Sequence, residues 1–355
     1  MNLKLTEFCD FGILGNDLPN FLHSKPMNNP DEVGSKLCRI CGTKADHPFY
    51  SVREMMYGLN EEFLYFQCVE CECLQIVDFP EEISKFYPKG YLSFASDPSR
   101  LYLNPLESCV RRLRDSYGAL GKGFLGRWIE KIYPAPEDLK ALARVSLTKQ
   151  SRILDVGCGS GMLLYLLREA GFSNVMGVDP HIDQDIEYKN GLRIFRQEIH
   201  DVEGEWDLIM FHHSFEHMRD PLKVLQSVSK LLVVGGCCLI RVPVVSSFAW
   251  ENYGVHWVQL DAPRHFFLHS LNSLRDLAMR EKFHLENIVS DSDEFQFWGS
   301  EQYKQGISLR SDRSYGISPS GSIFSKVEME RFRKKAKQLN QDSRGDQAAF
   351  YFKKG

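Results

Sequence analysis

Three groups of residues have the types and spacing to do chemistry. The first is a cysteine cluster. Cys38-Arg-Ile-Cys41 and Cys68-Val-Glu-Cys71 are two C-x2-C pairs with 26 residues between them. Each pair can present two thiolates from one tight knuckle. Two knuckles make a tetrahedral four-sulphur site, the preferred geometry of structural zinc. A closed site of this kind leaves no coordination position open, so Cys38, Cys41, Cys68 and Cys71 are read as ligands of a structural zinc. Cys73 stands beside them as a fifth thiol and is read as a packed residue.

The second group is the run Ile153-Leu-Asp-Val-Gly-Cys-Gly-Ser-Gly161, an apolar strand entering glycines and then a helix. Glycines let the backbone turn sharply and let a ligand come close to it, and a helix N-terminus presents unpaired amides. Asp179 ends the next expected strand, where a carboxylate can accept both hydroxyls of a ribose. The spacing is G-x-G-x-G, and Met162 stands where the third glycine of a dinucleotide fingerprint would fall. Asp155, two residues before Gly157, would repel a pyrophosphate and suits a cationic ligand such as an amino group or a sulfonium.

The third group is histidine-rich. Phe211-His-His-Ser-Phe-Glu-His217 follows an expected strand, and ligands of open α/β sheets lie at the carboxyl ends of strands. His212 and His213 are candidate general bases, because imidazole titrates near neutrality. The Glu216-His217 pair reads first as a brace for its loop. A second loop, Trp257 to His265, brings Asp261, Arg264 and His265 near Trp250, Tyr253, His256 and Trp257. Aromatic faces with a few polar groups suit a sugar ring or a planar substrate, and His265 is a further candidate base.

These groups need positioning elements. Residues 1–35 read as a lead-in arm, 36–80 as a zinc ribbon, and 81–150 as a helical linker or cap. Pro105–Tyr117 has apolar residues spaced for one helical face and Arg111, Arg112 and Arg114 for the other. From 151 to 355, strands are expected at Arg152–Val156, Asn174–Val178, Leu192–Phe195, Trp206–Phe211, Cys237–Val242, Leu285–Val289 and Ala348–Phe352. Helices lie between them, which means a parallel sheet covered on both faces. Residues 291–346 form an insertion with one helix, opened by a Ser325/Glu328 capping box, and its aromatic residues suggest a lid over the substrate.

ILDVGCGSG followed by Val178-Asp179 resembles the first two motifs of class I S-adenosylmethionine (SAM) methyltransferases. The resemblance covers about 151–290 and the last strand. It implies an α/β, Rossmann-like fold with a seven-stranded sheet whose last strand is antiparallel, here joined to a small N-terminal zinc ribbon. It also implies that Gly157, Gly159 and Gly161 cradle the methionine part of SAM, with Asp155 near its amino group. Asp179 would bind the ribose, and Glu198, after the third strand, would lie near the adenine. With the ribbon in front, and the aromatic stretch Phe86–Tyr91 after it, the chain resembles methyltransferases of sugar and polysaccharide pathways.

The 43 basic and 47 acidic residues give a net charge of −4 over 355 residues, with no support for a broad nucleic-acid surface. No apolar run reaches the roughly 18–20 residues of a membrane span. The expectation is a cytoplasmic enzyme with SAM and structural Zn2+, acting on a small-molecule acceptor such as a nucleotide-linked sugar or polysaccharide precursor. The alternative is a ribbon that recruits the methyltransferase domain to a nucleic acid or protein, with or without activity.

Overall fold

The computed structural model describes residues 34–88 and 97–355. The arm expected over 1–35 lies outside the described residues except for its last two, and so does the aromatic stretch beyond residue 88. Two short strands, β1 (Lys36–Leu37) and β2 (Lys44–Ala45), pair across the first cysteine knuckle. An antiparallel meander follows: β3 (Phe49–Arg53), β4 (Glu62–Gln67) and β5 (Leu74–Ile76). The second knuckle is the turn from β4 into β5.

Three helices come next: α1 (Pro105–Leu120), α2 (Phe124–Ile132) and α3 (Glu137–Ala141). Asn104 caps α1 by accepting from the Leu106 and Glu107 amides, and Pro105 sits at its first turn. The facing of α1 departs from the expected pattern. Leu106 is 81% exposed, Val110 and Leu113 are also exposed, and Arg114 is buried against Asp115 at 2.7 Å. The packed face is built from small residues instead. A Cβ at Gly118 would lie 3.0 Å from that of Ala135, and one at Gly126 would collide with the Leu113 carbonyl. Close backbone approach therefore decides this contact, and the apolar stripe stays in solvent.

The remaining elements alternate: β6 (Arg152–Val156), α4 (Met162–Glu169), β7 (Asn174–Val178), β8 (Ile186–Glu187), β9 (Arg193–Phe195), β10 (Trp206–His212), α5 (Pro221–Leu231) and β11 (Leu232–Pro243). Then come α6 (Phe248–Tyr253), β12 (Phe267–Leu268), α7 (Leu271–Arg280), β13 (Phe283–Ser290), α8 (Phe295–Lys304), α9 (Lys326–Gln341) and β14 (Gln347–Lys354). The main sheet runs β13-β14-β11-β10-β6-β7-β9-β8. β14 inserts antiparallel between β11 and β13, as the resemblance implies.

Three expectations change. The sheet has eight strands, because the two-residue β8 adds an antiparallel edge beside β9. β11 begins at Leu232 and not after the glycines; Gly235 and Gly236 lie in a bulge, where the register passes from Trp206–Leu232 to Leu208–Cys237. The insertion carries two helices. α9 has the expected capping box, whereas α8 follows Glu294, which makes no side-chain cap, and Asp293 accepts from the Phe295 amide at 2.8 Å instead.

β12 does not join the main sheet. It pairs antiparallel with β5, so the ribbon's sheet runs β12-β5-β4-β3 and borrows a strand from the second half of the chain. One apolar cluster accordingly runs from Tyr65, Leu74 and Ile76 through Phe266, Phe267 and Leu268 to the sheet. Each such fully buried side chain contributes about 1.5–3 kcal/mol. The ribbon and the α/β layer share one core.

His269 lies in this core, fully buried, and burial lowers its pKa to about 4. Unfolding restores an ordinary value near 6.5. The unfolded chain therefore binds a proton that the folded one refuses between these values. Stability should fall by about 1.4 kcal/mol per pH unit from this residue as pH drops from 6.5 towards 4, with the full contribution present above 6.5. Urea unfolding of the protein and of His269→Gln across that range should show a shallower loss in the variant. Among the described residues no helix is long and apolar enough to cross a membrane.

Candidate functional site

The four expected thiols meet. Cys38 Sγ lies 3.6 Å from Cys71 Sγ, Cys41 Sγ lies 3.5 Å from Cys68 Sγ, and all four fall within 4.8 Å of one another. A tetrahedron with bonds of about 2.3 Å has edges of about 3.8 Å, so the spacing fits one zinc. The Ile40 and Cys41 amides and the Gln75 side chain donate to Cys38 Sγ, and the Glu70 amide donates to Cys68 Sγ. Donors of this kind favour thiolate. Cys73 is buried outside the four-sulphur group.

The knuckles are fastened to the α/β layer. Ser270 caps α7 and donates to the Cys71 carbonyl at 2.6 Å. Arg280 donates to the Ile40 carbonyl at 2.7 Å.

At the carboxyl end of β6, Gly157, Gly159 and Gly161 all have positive φ (73°, 56° and 75°). The space around the outer two excludes side chains. A Cβ on Gly157 would lie 2.5 Å from that of Ser214, and one on Gly161 would lie 2.6 Å from Ile194 Cδ1. Ser214 in turn donates to the Val156 carbonyl at 2.6 Å, which locks the loop to the end of β10. Gly157→Ala should therefore combine backbone strain with a clash. The expected outcome is loss of S-adenosylhomocysteine (SAH) binding by calorimetry, with the far-UV spectrum of the fold retained.

Asp179 is buried, and its two oxygens accept from the Gly159 amide at 2.9 Å and the His181 amide at 2.8 Å. It thereby joins the glycine loop to the end of β7. Asp155 is buried and accepts no hydrogen bond from the described residues; burial and the charges of Asp138 and Asp179 push its carboxyl well above the usual range. A cationic group placed here would relieve that repulsion, which is what the amino group or sulfonium of SAM would supply. The residues present thus fit that cofactor. Glu198 lies exposed three residues beyond β9 and is engaged only through its carbonyl. Two clefts of about 500 and 400 Å³ open at the other end of the central strands, at Arg152, Asn174 and Trp206, where β6, β7 and β10 begin, and at Ser151, Asp207 and Lys353.

The histidines gather at the end of β10 but are not equivalent. Arg241, from β11, donates to His213 Nε2 at 3.0 Å and is held by Asp138 at 2.6 Å and Asp291 at 2.5 Å. The lone pair of His213 is thus already taken. His212 has both ring nitrogens buried without a partner among the described residues, and burial lowers its pKa to about 4. It is neutral at physiological pH. His265 donates through Nδ1 to the Gln259 carbonyl at 2.8 Å. Burial lowers its pKa to about 4 as well.

The loop carrying His265 is built on the ribbon. Tyr65 of β4 donates to the His265 carbonyl at 2.8 Å. Glu54, just past β3, pairs with Arg264 at 2.8 Å, and both side chains are fully buried. Arg264 also holds Asp261 at 2.6 Å and the Phe86 carbonyl at 3.1 Å. Burial pulls the Arg264 guanidinium down, but Asp261 and Glu54 hold it above its ordinary value. Trp257 is core, bonded to Asp346 at 2.8 Å, and does not face a ligand. The insertion is docked: the Leu309 and Arg310 amides donate to the Met55 and Met56 carbonyls, and Phe297 packs on Phe248 and Phe332.

Sequence reasoning missed Arg241, Asp138, Asp291, Glu54 and Ser214 as parts of this site. One signal was present. Arg241 sits inside the run Cys237–Val242 of a central strand, and a charge in such a run must be buried and paired. Its partners come from α3 and the end of β13, too far along the chain for any spacing rule.

Sheet order and glycine cradle define a Rossmann-like methyltransferase fold. Residues 127–288 match the family described as "Methyltransferase domain", so this part of the chain is similar to methyltransferase domains. The chain is 28% identical over 152 residues to a ubiquinone biosynthesis O-methyltransferase of Hydrogenovibrio crunogenus, covering 40% of this chain and 58% of that protein. It is 24% identical over 198 residues to an uncharacterized methyltransferase of Schizosaccharomyces pombe, covering 48% and 69%. Among solved structures, the cyclopropane synthase MmaA2 of Mycobacterium tuberculosis is similar at 16% identity and a TM-score of 0.41, over 62% of this chain and 86% of that one. The chain thus spans just over half the length of the first of these relatives.

Proposed function

We propose that the chain transfers a methyl group from SAM to a small, polar, sugar-like acceptor, with zinc at Cys38, Cys41, Cys68 and Cys71 serving as a structural cross-link. The observation that carries the reading is the site at the ends of β6, β7 and β10. A glycine loop closed to side chains stands there beside an uncompensated buried Asp155 and an ordered Asp179. SAM, when bound, supplies an activated methyl on a cationic sulfonium. In this reading Gly157, Gly159 and Gly161 hold its methionine part, Asp155 its amino group, Asp179 its ribose and Glu198 the region of its adenine.

The chain's own task is then to align the acceptor, exclude water and take a proton. His212 is the base this geometry favours, since it is neutral with both nitrogens unengaged. His213 is a positioning residue fixed by Arg241. His265 orients its loop from the ribbon side. His212→Ala should lower kcat at least tenfold while leaving SAH affinity within twofold; an unchanged kcat would remove His212 from the chemistry.

A nucleotide-linked sugar is supported by the resemblance and by the partly exposed aromatic rings of Trp250 and Tyr253 beside the site loop. Methyl transfer from radiolabelled SAM to a panel of nucleotide sugars, with RNA and protein as controls, tests it. Labelling of RNA or protein alone would favour the recruiting-module reading. The strand shared between β12 and β5 weighs against that alternative, because a module sharing its sheet with the catalytic layer cannot move independently of it.

A further inference from the structure

A second group of potential metal ligands lies beside the glycine loop, apart from the four thiols. Glu216, His217 and His265 each bring one ligand atom within 4.8 Å of the other two. They come from two segments, the turn after β10 and the loop built on the ribbon. Glu216 is fully buried, yet among the described residues neither carboxylate oxygen has a hydrogen-bond partner. Two imidazole nitrogens approach its Oε1, His213 Nδ1 at 3.6 Å and His265 Nε2 at 3.8 Å, both beyond hydrogen-bond distance. An unpaired carboxylate in the interior costs several kcal/mol unless a cation meets it.

The two histidines are oriented as metal ligands usually are. Ligating imidazoles characteristically donate their second nitrogen to a carbonyl or carboxylate, which fixes ring and tautomer. His265 Nδ1 lies 2.8 Å from the Gln259 carbonyl, and His217 Nδ1 lies 2.8 Å from the Arg264 carbonyl. A carbonyl only accepts, so each Nδ1 carries the hydrogen and Nε2 carries the lone pair. The Nε2 of His265 therefore faces Glu216 Oε1 as one acceptor facing another. A proton shared between them would draw the atoms to about 2.8 Å. The 3.8 Å gap suits an ion bonded to both. The other nearby carboxylate, Asp261, is engaged by Arg264.

We propose that Glu216, His217 and His265 form a binding site for one divalent transition-metal ion, next to the SAM site. Two imidazoles and a carboxylate suit zinc, manganese, iron or cobalt, and three protein ligands leave positions open for an oxygen ligand. Because His265 is carried on the loop fastened to Tyr65 and Glu54, the ribbon would set the geometry of this second site. This metal site does not depend on which acceptor is methylated.

The test uses the 355-residue chain with zinc retained in the ribbon, dialysed briefly against EDTA and then titrated with cobalt(II). One saturable equivalent should bind, with visible ligand-field absorption and without the near-ultraviolet charge-transfer bands that thiolates give. Glu216→Gln and His265→Gln should each weaken that binding at least tenfold. No saturable binding, or cobalt appearing only with thiolate bands, would overturn the proposal, as would unchanged affinity in both variants. The wild-type titration decides even if a variant does not fold.

Discussion

Replacing Arg264 by alanine should cost the protein about 3–5 kcal/mol of stability, the usual result of breaking a fully buried ion pair from one side. The guanidinium sits between Glu54 of the ribbon and Asp261 of the site loop, with the Phe86 carbonyl as a third partner. Its removal leaves two carboxylates with no cation at a place from which water is excluded. Glu54→Ala is the converse change and should be milder, because Asp261 still meets the arginine. A shift of the urea midpoint checks the prediction. A loss below about 1 kcal/mol for Arg264→Ala would mean that the ribbon and the loop are not coupled through this pair. Activity should fall further than stability alone requires, since the same contact holds His265.

Removal of the zinc proposed for the four thiols should have the largest effect. Structural zinc in small modules contributes about 10–16 kcal/mol of apparent binding energy, which is folding energy where no site exists in the unfolded chain. Here the cysteine knuckles hold β4 and β5 together, and β5 carries β12 of the α/β layer. Cys68→Ser, or exhaustive chelation, should therefore abolish SAH binding and broaden the unfolding transition, although none of Cys38, Cys41, Cys68 and Cys71 lies in the glycine loop. A chelated protein that bound SAH as tightly as before would show that the ribbon is an independent unit.

Both results depend on a connection that the linear sequence does not display. The glycine loop, its aspartates and the four cysteines were legible because each is a local pattern with a local physical reason. The sheet was legible for the same reason: strand–helix alternation needs a parallel core, and the apolar run at β6 admits little else. Legibility ended at long-range pairing. β12 is two residues long, and nothing in Phe267-Leu268 says that it pairs with β5. The face of α1 was misjudged because Gly118 and Gly126 allow close backbone packing, which overrides an apolar stripe. Among the histidines, spacing put all of them near one another. Only the structure separates His213, capped by Arg241, from His212, which has no hydrogen-bond partner among the described residues.

The account rests on the glycine loop and its two aspartates being a SAM site. Calorimetric titration of the zinc-loaded protein with SAH, with NAD as the control ligand, tests this most directly. Micromolar binding of SAH alone, at one site per chain, is the expected result. Binding of NAD, or of neither ligand, would contradict it.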